Sequence, residues 1–333
     1  MMENSTLKRT AKDFASKCPV KWCPGCGDFA VLAQMQRTFA HMDMPHEKFA
    51  VISGIGCSSR LPYYLNTYGF HTIHGRAPAV ASGVKLANAD LSVWVVTGDG
   101  DALSIGGNHT LHAIRKNIGL KIILLNNRIY ALTKGQSSPT TKINVITKSS
   151  PSGTIDYPLT PLRFAIGLDC TFVARVLDTD MTMMAHVFEA AAKHKGTAFV
   201  EVLQRCLAFS NVEFDHFKDK TKKEDIVLHA EHGKPLIFGK NKNKGIAIKN
   251  YKPEIVEFEH GKIPPEVVIY DETNGDLAYV LSAFFYPDMP VPIGILKNVE
   301  KPSHEELLLN KEKEAGDINL KSILEGPGFW EMK

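Results

Sequence analysis

Ser92-Val93-Trp94-Val95-Val96-Thr97-Gly98-Asp99-Gly100 is an apolar run of strand length that breaks at two glycines flanking an aspartate. The run Ile122-Ile123-Leu124-Leu125 breaks in a comparable way at Asn126-Asn127, which begins after 25 residues beyond Gly100. Neither run alternates apolar with polar residues, so each reads as a strand covered on both faces. Working outward, Phe49-Ala50-Val51-Ile52 runs into the turn Gly54-Ile55-Gly56, and Phe172–Val176 and Ala198–Val202 have the same character. Helical patterns separate them. One should begin at Asp28, as its cap, and carry Phe29, Leu32, Met35 and Phe39 along one stripe; another should begin at Asp180 and stop at Gly196. Buried strands alternating with helices imply an α/β fold, a doubly wound and mostly parallel sheet with right-handed crossovers. Ligands of such sheets gather at the carboxyl ends of the strands, where every motif below falls.

The chain has 333 residues, 44% hydrophobic and 23% charged, as expected of a globular protein with a sizeable core. Residues 1–215 hold the alternating pattern and are expected to form one α/β domain. Beyond it prolines recur and periodicity fades, so residues 216–333 are expected to be a C-terminal extension packing on the core or on a partner subunit. A net charge of +3 gives no reason to expect a nucleic-acid partner, and the Lys-rich stretches at 218–223 and 240–244 read as solvated loops. No apolar run is long enough to span a bilayer, and the start lacks the apolar stretch of a signal peptide, so a cytoplasmic location without membrane contact is expected.

Adjacent strand ends would bring the Asp99 carboxylate and a side-chain amide of Asn126-Asn127 to one edge. Such oxygen ligands suit Mg²⁺, which combines one or two carboxylates with phosphate oxygens and water. A helix following Gly100 would point its amides at a diphosphate, and Gly106 and Gly107 would let it pack closely on neighbouring backbone. No dinucleotide-type Gly-x-Gly-x-x-Gly and no P-loop competes with this reading.

Six cysteines in a chain of this size argue against a disulfide framework. Trp22-Cys23-Pro24-Gly25-Cys26-Gly27 holds a C-x-x-C, whose readings are zinc, a redox pair or half of an iron–sulfur site. A zinc ribbon would offer a second close pair, and a redox pair would leave Cys57 and Cys206 unexplained. Both of those follow strand ends on the edge already assigned to the diphosphate, and four thiolates there suit a [4Fe–4S] cluster.

The Gly-Asp-Gly and Asn-Asn pair resembles the signature of thiamine-diphosphate enzymes. With Trp-Cys-Pro-Gly-Cys-Gly at 22–27, Gly-Ile-Gly-Cys-Ser at 54–58, Ile-His-Gly-Arg at 73–76, Gly-Asp-Gly-Asp at 98–101 and Asn-Asn-x-x-Tyr-x-x-Thr-x-Gly-Gln-x-Ser-Pro-Thr at 126–140, the chain is similar to the β subunits of 2-oxoacid:ferredoxin oxidoreductases over roughly residues 15–210. The segments 233–239 and 271–275 look like the 2-oxoglutarate type. The resemblance implies thiamine diphosphate, Mg²⁺ and a [4Fe–4S] cluster as cofactors. It assigns Cys23, Cys26, Cys57 and Cys206 to the cluster. Asp99, the Asn127 side chain and the Ile129 carbonyl fall to the metal. Ile55, Gly56, Cys57, Ser58, His74, Gly98, Gly100, Asp101, Ala131 and Leu132 fall to the cofactor. Arg60, just past the third cysteine, is a candidate for the substrate carboxylate, and His74 is the other candidate catalytic residue, with a structural histidine as the alternative. Cys18 and Cys170 remain plain thiols.

The implied reaction is the coenzyme A-dependent oxidative decarboxylation of a 2-oxoacid, with electrons passed through the cluster to ferredoxin. The resemblance also implies an α subunit that supplies the aminopyrimidine half of the cofactor site, in an αβ or α2β2 assembly. Other members of the family acting on pyruvate or another 2-oxoacid, a non-redox thiamine-diphosphate decarboxylase and a non-catalytic electron-transfer protein are the competing readings. The second leaves the four cysteines unexplained, and the third leaves the metal motif unexplained.

Overall fold

The computed structural model describes residues 9–210, 213–259, 261–315, 319–330 and 332. Each apolar run named above becomes a strand: β1 (Phe49–Ser53), β3 (Ser92–Gly98), β4 (Leu120–Asn126), β5 (Phe172–Leu177) and β6 (Ala198–Leu203), with a short β2 (Tyr68–His71) preceding β3. Later strands are β7 (Val227–Ala230), the small antiparallel set β8 (Ile237–Phe238), β9 (Lys244–Lys249) and β10 (Lys252–Glu257), and β11 (Val291–Asn298). The main sheet has eight strands in the order β2-β1-β3-β4-β6-β5-β11-β7. All neighbours run parallel except β11 against β5. The C-terminal region therefore does more than wrap the core, because it supplies β11 and β7 to the same sheet.

Period-two side-chain alternation divides the strands between two cores. Val93, Val95, Ile122, Leu124 and Phe199 face one side, under α2 (Ala77–Ala87), α3 (Gly107–Arg115), α4 (Pro161–Gly167) and α7 (Gly275–Ser282). Trp94, Val96, Ile123, Leu125, Val200 and Val202 face the other, under α1 (Asp28–His41) and α5 (Met181–Lys193). Burying each such side chain contributes roughly 1.5–3 kcal/mol, which is why these runs carry no polar alternation. A short α6 (Lys220–Ile226) and a terminal α8 (His304–Ala315) complete the larger helices.

Two helix starts differ from expectation in an informative way. Asp180 caps α5, accepting from the Met183 amide at 3.1 Å. Asp28 does not cap α1: Gly27 holds the cap position, and Asp28 is the first helical residue. Glycine is required at 27 because a Cβ there would stand 2.1 Å from Asp178 Oδ2. The Asp28 carboxylate is thereby released to face the cysteines instead of the helix amides. Phe29 also leaves the predicted stripe: it is exposed and meets the edge of Trp22, while Val31 takes its place in the core.

After Gly100 the chain does not enter an α-helix directly. Asp101–Ile105 is π-helical, and α3 begins only at Gly107. Such π turns recur at functional sites. Of the two glycines expected to permit close packing, Gly106 does so, since a Cβ would lie 2.4 Å from the Asp101 carbonyl; Gly107 faces open space.

Candidate active site

Parallel strands β1, β3, β4 and β6 end on one edge of the sheet, and their following loops carry Cys57, Asp99, Asn127 and Cys206. Two cavities open there. The first, of about 40 Å³, is lined by Gly56, Cys57, Ser58, Gly98, Asp99, Asn127 and Ile129, with Asp28 and Gln204 behind. The second, of about 230 Å³, is lined by Cys23, Cys26, Cys57 and Cys206 together with Arg60. Cys57, Asn127, Ala131, Leu132 and Gln204 form a wall common to both.

Asp99 is buried, and burial pushes its carboxyl above the usual range. Ser138 Oγ and Thr140 Oγ1 each donate to its Oδ2 at 2.5 Å. Among the described residues no lysine, arginine or histidine forms an ion pair with it. A buried carboxylate without a counter-charge is costly unless a cation joins it. Asn127 and Ile129 line the same cavity, Asn127 Oδ1 accepting from the Ile129 amide at 3.2 Å, and a carboxylate beside a side-chain amide and a backbone carbonyl is a donor set that fits a hard cation such as Mg²⁺.

The support beneath Asp99 extends across the sheet. Thr140 Oγ1 lies 3.0 Å from Asn126 Oδ1, and Asn126 Nδ2 donates to Glu201 Oε1 at 2.7 Å. Glu201 is fully buried against Arg175. None of Ser138, Thr140, Asn126, Glu201 or Arg175 was assigned from the motifs. The signal for the last two was present, as single charged residues inside otherwise apolar strands.

Asp101 has a different task from Asp99. Its Oδ1 accepts from the amides of Ile55 at 3.1 Å and Gly75 at 2.8 Å and lies 2.8 Å from His74 Nδ1; its Oδ2 accepts from Thr97 Oγ1 at 2.7 Å. One buried carboxylate so ties the loops at 54–56 and 73–76 to the end of β3. Neither Asp101 nor His74 lines the two cavities, and Gly100 packs under the Tyr130 ring, accepting from Tyr130 Oη at 3.0 Å. Ile55 lines a separate, outer cavity with Arg60 and His71.

The four cysteines carry no disulfide. Burial pushes the Cys57 thiol up to about 12, with Asp28, Cys206 and Cys23 adding to the effect; burial and Asp28 likewise raise Cys26. Asp28 Oδ2 and Gln204 Oε1, both buried, lack hydrogen-bond partners within the described residues. No three His, Cys, Asp or Glu side chains among the described residues converge on a single ion. A four-iron cluster sets its thiolates further apart than one ion does, and a cavity bounded by four thiols, which a polycation would keep ionised, fits that larger group. Cys18 is exposed and outside this cavity. Cys170 is buried elsewhere, its Sγ donating to the Phe172 carbonyl at 3.3 Å.

Residues 54–202 match the family described as thiamine pyrophosphate enzyme, C-terminal TPP binding domain. The chain is 43% identical to the 2-oxoglutarate oxidoreductase subunit KorB of Mycobacterium tuberculosis over 96% of its own length and 87% of that protein. It is 42% identical to 2-oxoacid:ferredoxin oxidoreductase 1, subunit beta, of Aeropyrum pernix over 61% of its length and 64% of that subunit. Among solved structures, a chain of the 2-oxoglutarate:ferredoxin oxidoreductase from Magnetococcus marinus, described with 2-oxoglutarate, coenzyme A and succinyl-CoA bound, superposes with a TM-score of 0.77 at 31% identity, covering 96% of both chains. Among the described residues no helix is long and apolar enough to cross a membrane. With its thiamine-diphosphate-binding domain formed by the strand ends described above, the chain belongs to the β-subunit family of the 2-oxoacid:ferredoxin oxidoreductases.

Proposed function

We propose that this chain is the subunit of a 2-oxoglutarate:ferredoxin oxidoreductase that holds the diphosphate of thiamine diphosphate, Mg²⁺ and one [4Fe–4S] cluster. The observation that carries the reading is the shared wall: Cys57 and Asn127 border both the cysteine cavity and the Asp99 cavity. A redox centre and the cofactor cleft as next neighbours suit a decarboxylation whose electrons are removed one at a time. They do not suit a non-redox decarboxylase.

In this reading Asp99, the Asn127 amide and the Ile129 carbonyl hold Mg²⁺, and Cys23, Cys26, Cys57 and Cys206 hold the cluster. Thiamine diphosphate supplies the carbanion chemistry when bound. The backbone of Gly56–Ser58 and Gly98 and the side chains of Ala131 and Leu132 shape its cleft, and Gly100 supports it from beneath Tyr130. Arg60 borders the cysteine cavity without any ion-pair partner among the described residues, which suits a bidentate pair with a substrate carboxylate. His74 and Asp101 act from behind the wall by fixing the loop that carries Ile55 and Gly56. The 2-oxoglutarate preference follows the names of the Mycobacterium and Magnetococcus relatives. An α subunit, coenzyme A and ferredoxin complete the reaction.

The test is an anaerobic assay of the co-purified complex against a panel of 2-oxoacids with coenzyme A and ferredoxin. Turnover should be highest with 2-oxoglutarate and absent from the partner-free chain. Stoichiometric zinc without labile sulfide would sink the cluster assignment, and turnover restricted to pyruvate would overturn the substrate.

A further inference from the structure

The segment His71-Thr72-Ile73-His74 holds two histidines, and the fold gives them different work. His74 is held on Asp101, behind the cavities. His71 is the last residue of β2 and stands opposite Ser53, the last residue of β1. Ser53 Oγ donates to the Ser59 carbonyl at 2.7 Å, and His71 Nδ1 lies 3.0 Å from each of these two oxygens. With the hydroxyl proton committed to the carbonyl, both oxygens face Nδ1 as acceptors. Nδ1 therefore carries the ring proton, and the lone pair falls to Nε2. Nε2 makes no hydrogen bond among the described residues.

His71 lines the outer cavity of about 500 Å³, and with Nδ1 tied inward the Nε2 edge of the ring is the one left to face it. This cavity is a junction. It shares Gly56 and Leu132 with the cofactor cleft, and Lys21, Arg60 and Leu132 with the cysteine cavity. Ile55, Leu132 and the Tyr63 ring, 5.5 Å from the His71 ring, make its walls largely apolar. Lys21 and Arg60 stand on it without ion-pair partners among the described residues. Apolar walls with a few placed polar groups suit a thin organic arm. A free lone pair beside two cations suits an arm that ends in a weakly acidic group and leaves an anion when its proton is removed.

We propose that the outer cavity receives the thiol arm of coenzyme A and that His71 Nε2 is the base that takes the thiol proton. The inference rests on the reading of the chain as part of a coenzyme A-dependent oxidoreductase. The S–H bond breaks and its proton passes to Nε2. The sulfur forms a bond to the acyl carbon, which has already given two electrons to ferredoxin. The bond that held the acyl group breaks, its electron pair staying with the leaving group, and Nε2 returns its proton to water. Lys21 and Arg60 favour the thiolate while it forms.

The experiment compares the co-purified complex with its His71→Asn variant, whose side-chain N–H can still donate to the Ser59 carbonyl but which has no base. Coenzyme A-dependent kcat should fall about 100-fold, the usual worth of a positioned base, with the KM for coenzyme A unchanged. Reduction of the cluster by 2-oxoglutarate without coenzyme A, followed by absorbance, should not change. A readout independent of turnover is alkylation of bound coenzyme A by iodoacetamide in the absence of 2-oxoacid, with the alkylated product measured by mass spectrometry. It should slow about tenfold in the variant, because the thiolate is the nucleophile. Wild-type kcat in His71→Asn overturns the proposal, as does loss of the coenzyme A-independent reduction, which would make the histidine a support of the Ser59 loop. If His71→Asn does not assemble, His71→Ala decides: added imidazole should restore its coenzyme A-dependent turnover, and failure to do so overturns the proposal. A wild-type complex that turns over 2-oxoglutarate without any need for coenzyme A removes the functional reading itself.

Discussion

Arg175 Nε donates to Glu201 Oε2 at 2.7 Å between adjacent strands, and both side chains are wholly shielded from solvent. The two residues stand directly opposite in the register of β5 and β6, and Phe285 lies under the guanidinium at 4.4 Å. Removing one member of such a pair strands a charge in the interior and costs roughly 3–5 kcal/mol, whereas replacing both by apolar groups of similar volume is close to neutral. Arg175→Met and Glu201→Leu should each lower the urea midpoint strongly, and the double variant should recover most of the loss. Single variants within about 1 kcal/mol of wild type would show the pair to be dispensable.

Thr140 should govern metal affinity through Asp99. In Thr140→Val the carboxylate loses one of its two hydroxyl donors, and Mg²⁺-dependent binding of thiamine diphosphate should weaken about tenfold, equivalent to ~1.4 kcal/mol. Thr140→Ser keeps the donor and should restore affinity. Titration calorimetry with Mg²⁺ and thiamine diphosphate measures both, and equal affinity in the valine variant would refute the role.

Iron content tests the cysteine assignment one position at a time. Cys57→Ala and Cys206→Ala should abolish bound iron and labile sulfide after anaerobic purification, because each removes one of four ligands. Cys18→Ala and Cys170→Ala should keep both, at about four irons per chain. Retention of the full complement in Cys206→Ala would remove that residue from the set.

His194, at the end of α5, sets part of the acid limit of stability. Burial and then Lys121 push its imidazole down to about 4, against a hydrogen bond to the Asn298 side chain that raises it, and its Nε2 lies 2.9 Å from Thr171 Oγ1. The folded value lies below the unfolded value of ~6.5, so between the two the unfolded chain binds the extra proton. The stability from a neutral His194 is complete above that upper value and is lost as pH falls toward 4. Urea denaturation from pH 7.5 to 4 should show a shallower decline in His194→Gln than in wild type. Parallel curves would exclude the histidine.

Most of the central sheet was readable from sequence because its strands are buried on both faces and so appear as unbroken apolar runs. The edge strand β2 was not, since Tyr68–His71 are all exposed and give no such run. Strands β7 and β11 were hidden for another reason: they lie among prolines and charged residues after the alternating pattern has ended, and only their tertiary partners identify them. At the site, the residues that reach a cavity stand in compact motifs beside strand ends. Of those that hold them, Arg175 and Glu201 stand in no motif, and Asn126, Ser138 and Thr140 stand in the 126–140 motif without any sign of what they hold. Ser138 and Thr140 return to Asp99 from about forty residues away, a distance that spacing along the chain cannot reveal. Asp28 shows the opposite hazard, since local rules make it a cap and Gly27 takes that position.

The last-made strands of the main sheet have a consequence for biosynthesis. By the time Cys206 leaves the ribosome, all four cysteines and Asp99 have been translated, yet the outer flank of β5 still awaits β11, and Arg175 has no Phe285 beneath it. An open flank of that kind invites pairing with other nascent chains. Completion of the site's floor is thereby tied to synthesis of the final third, and a ribosome stalled there would yield a product with Asp99 and the four cysteines present and no stable floor under them.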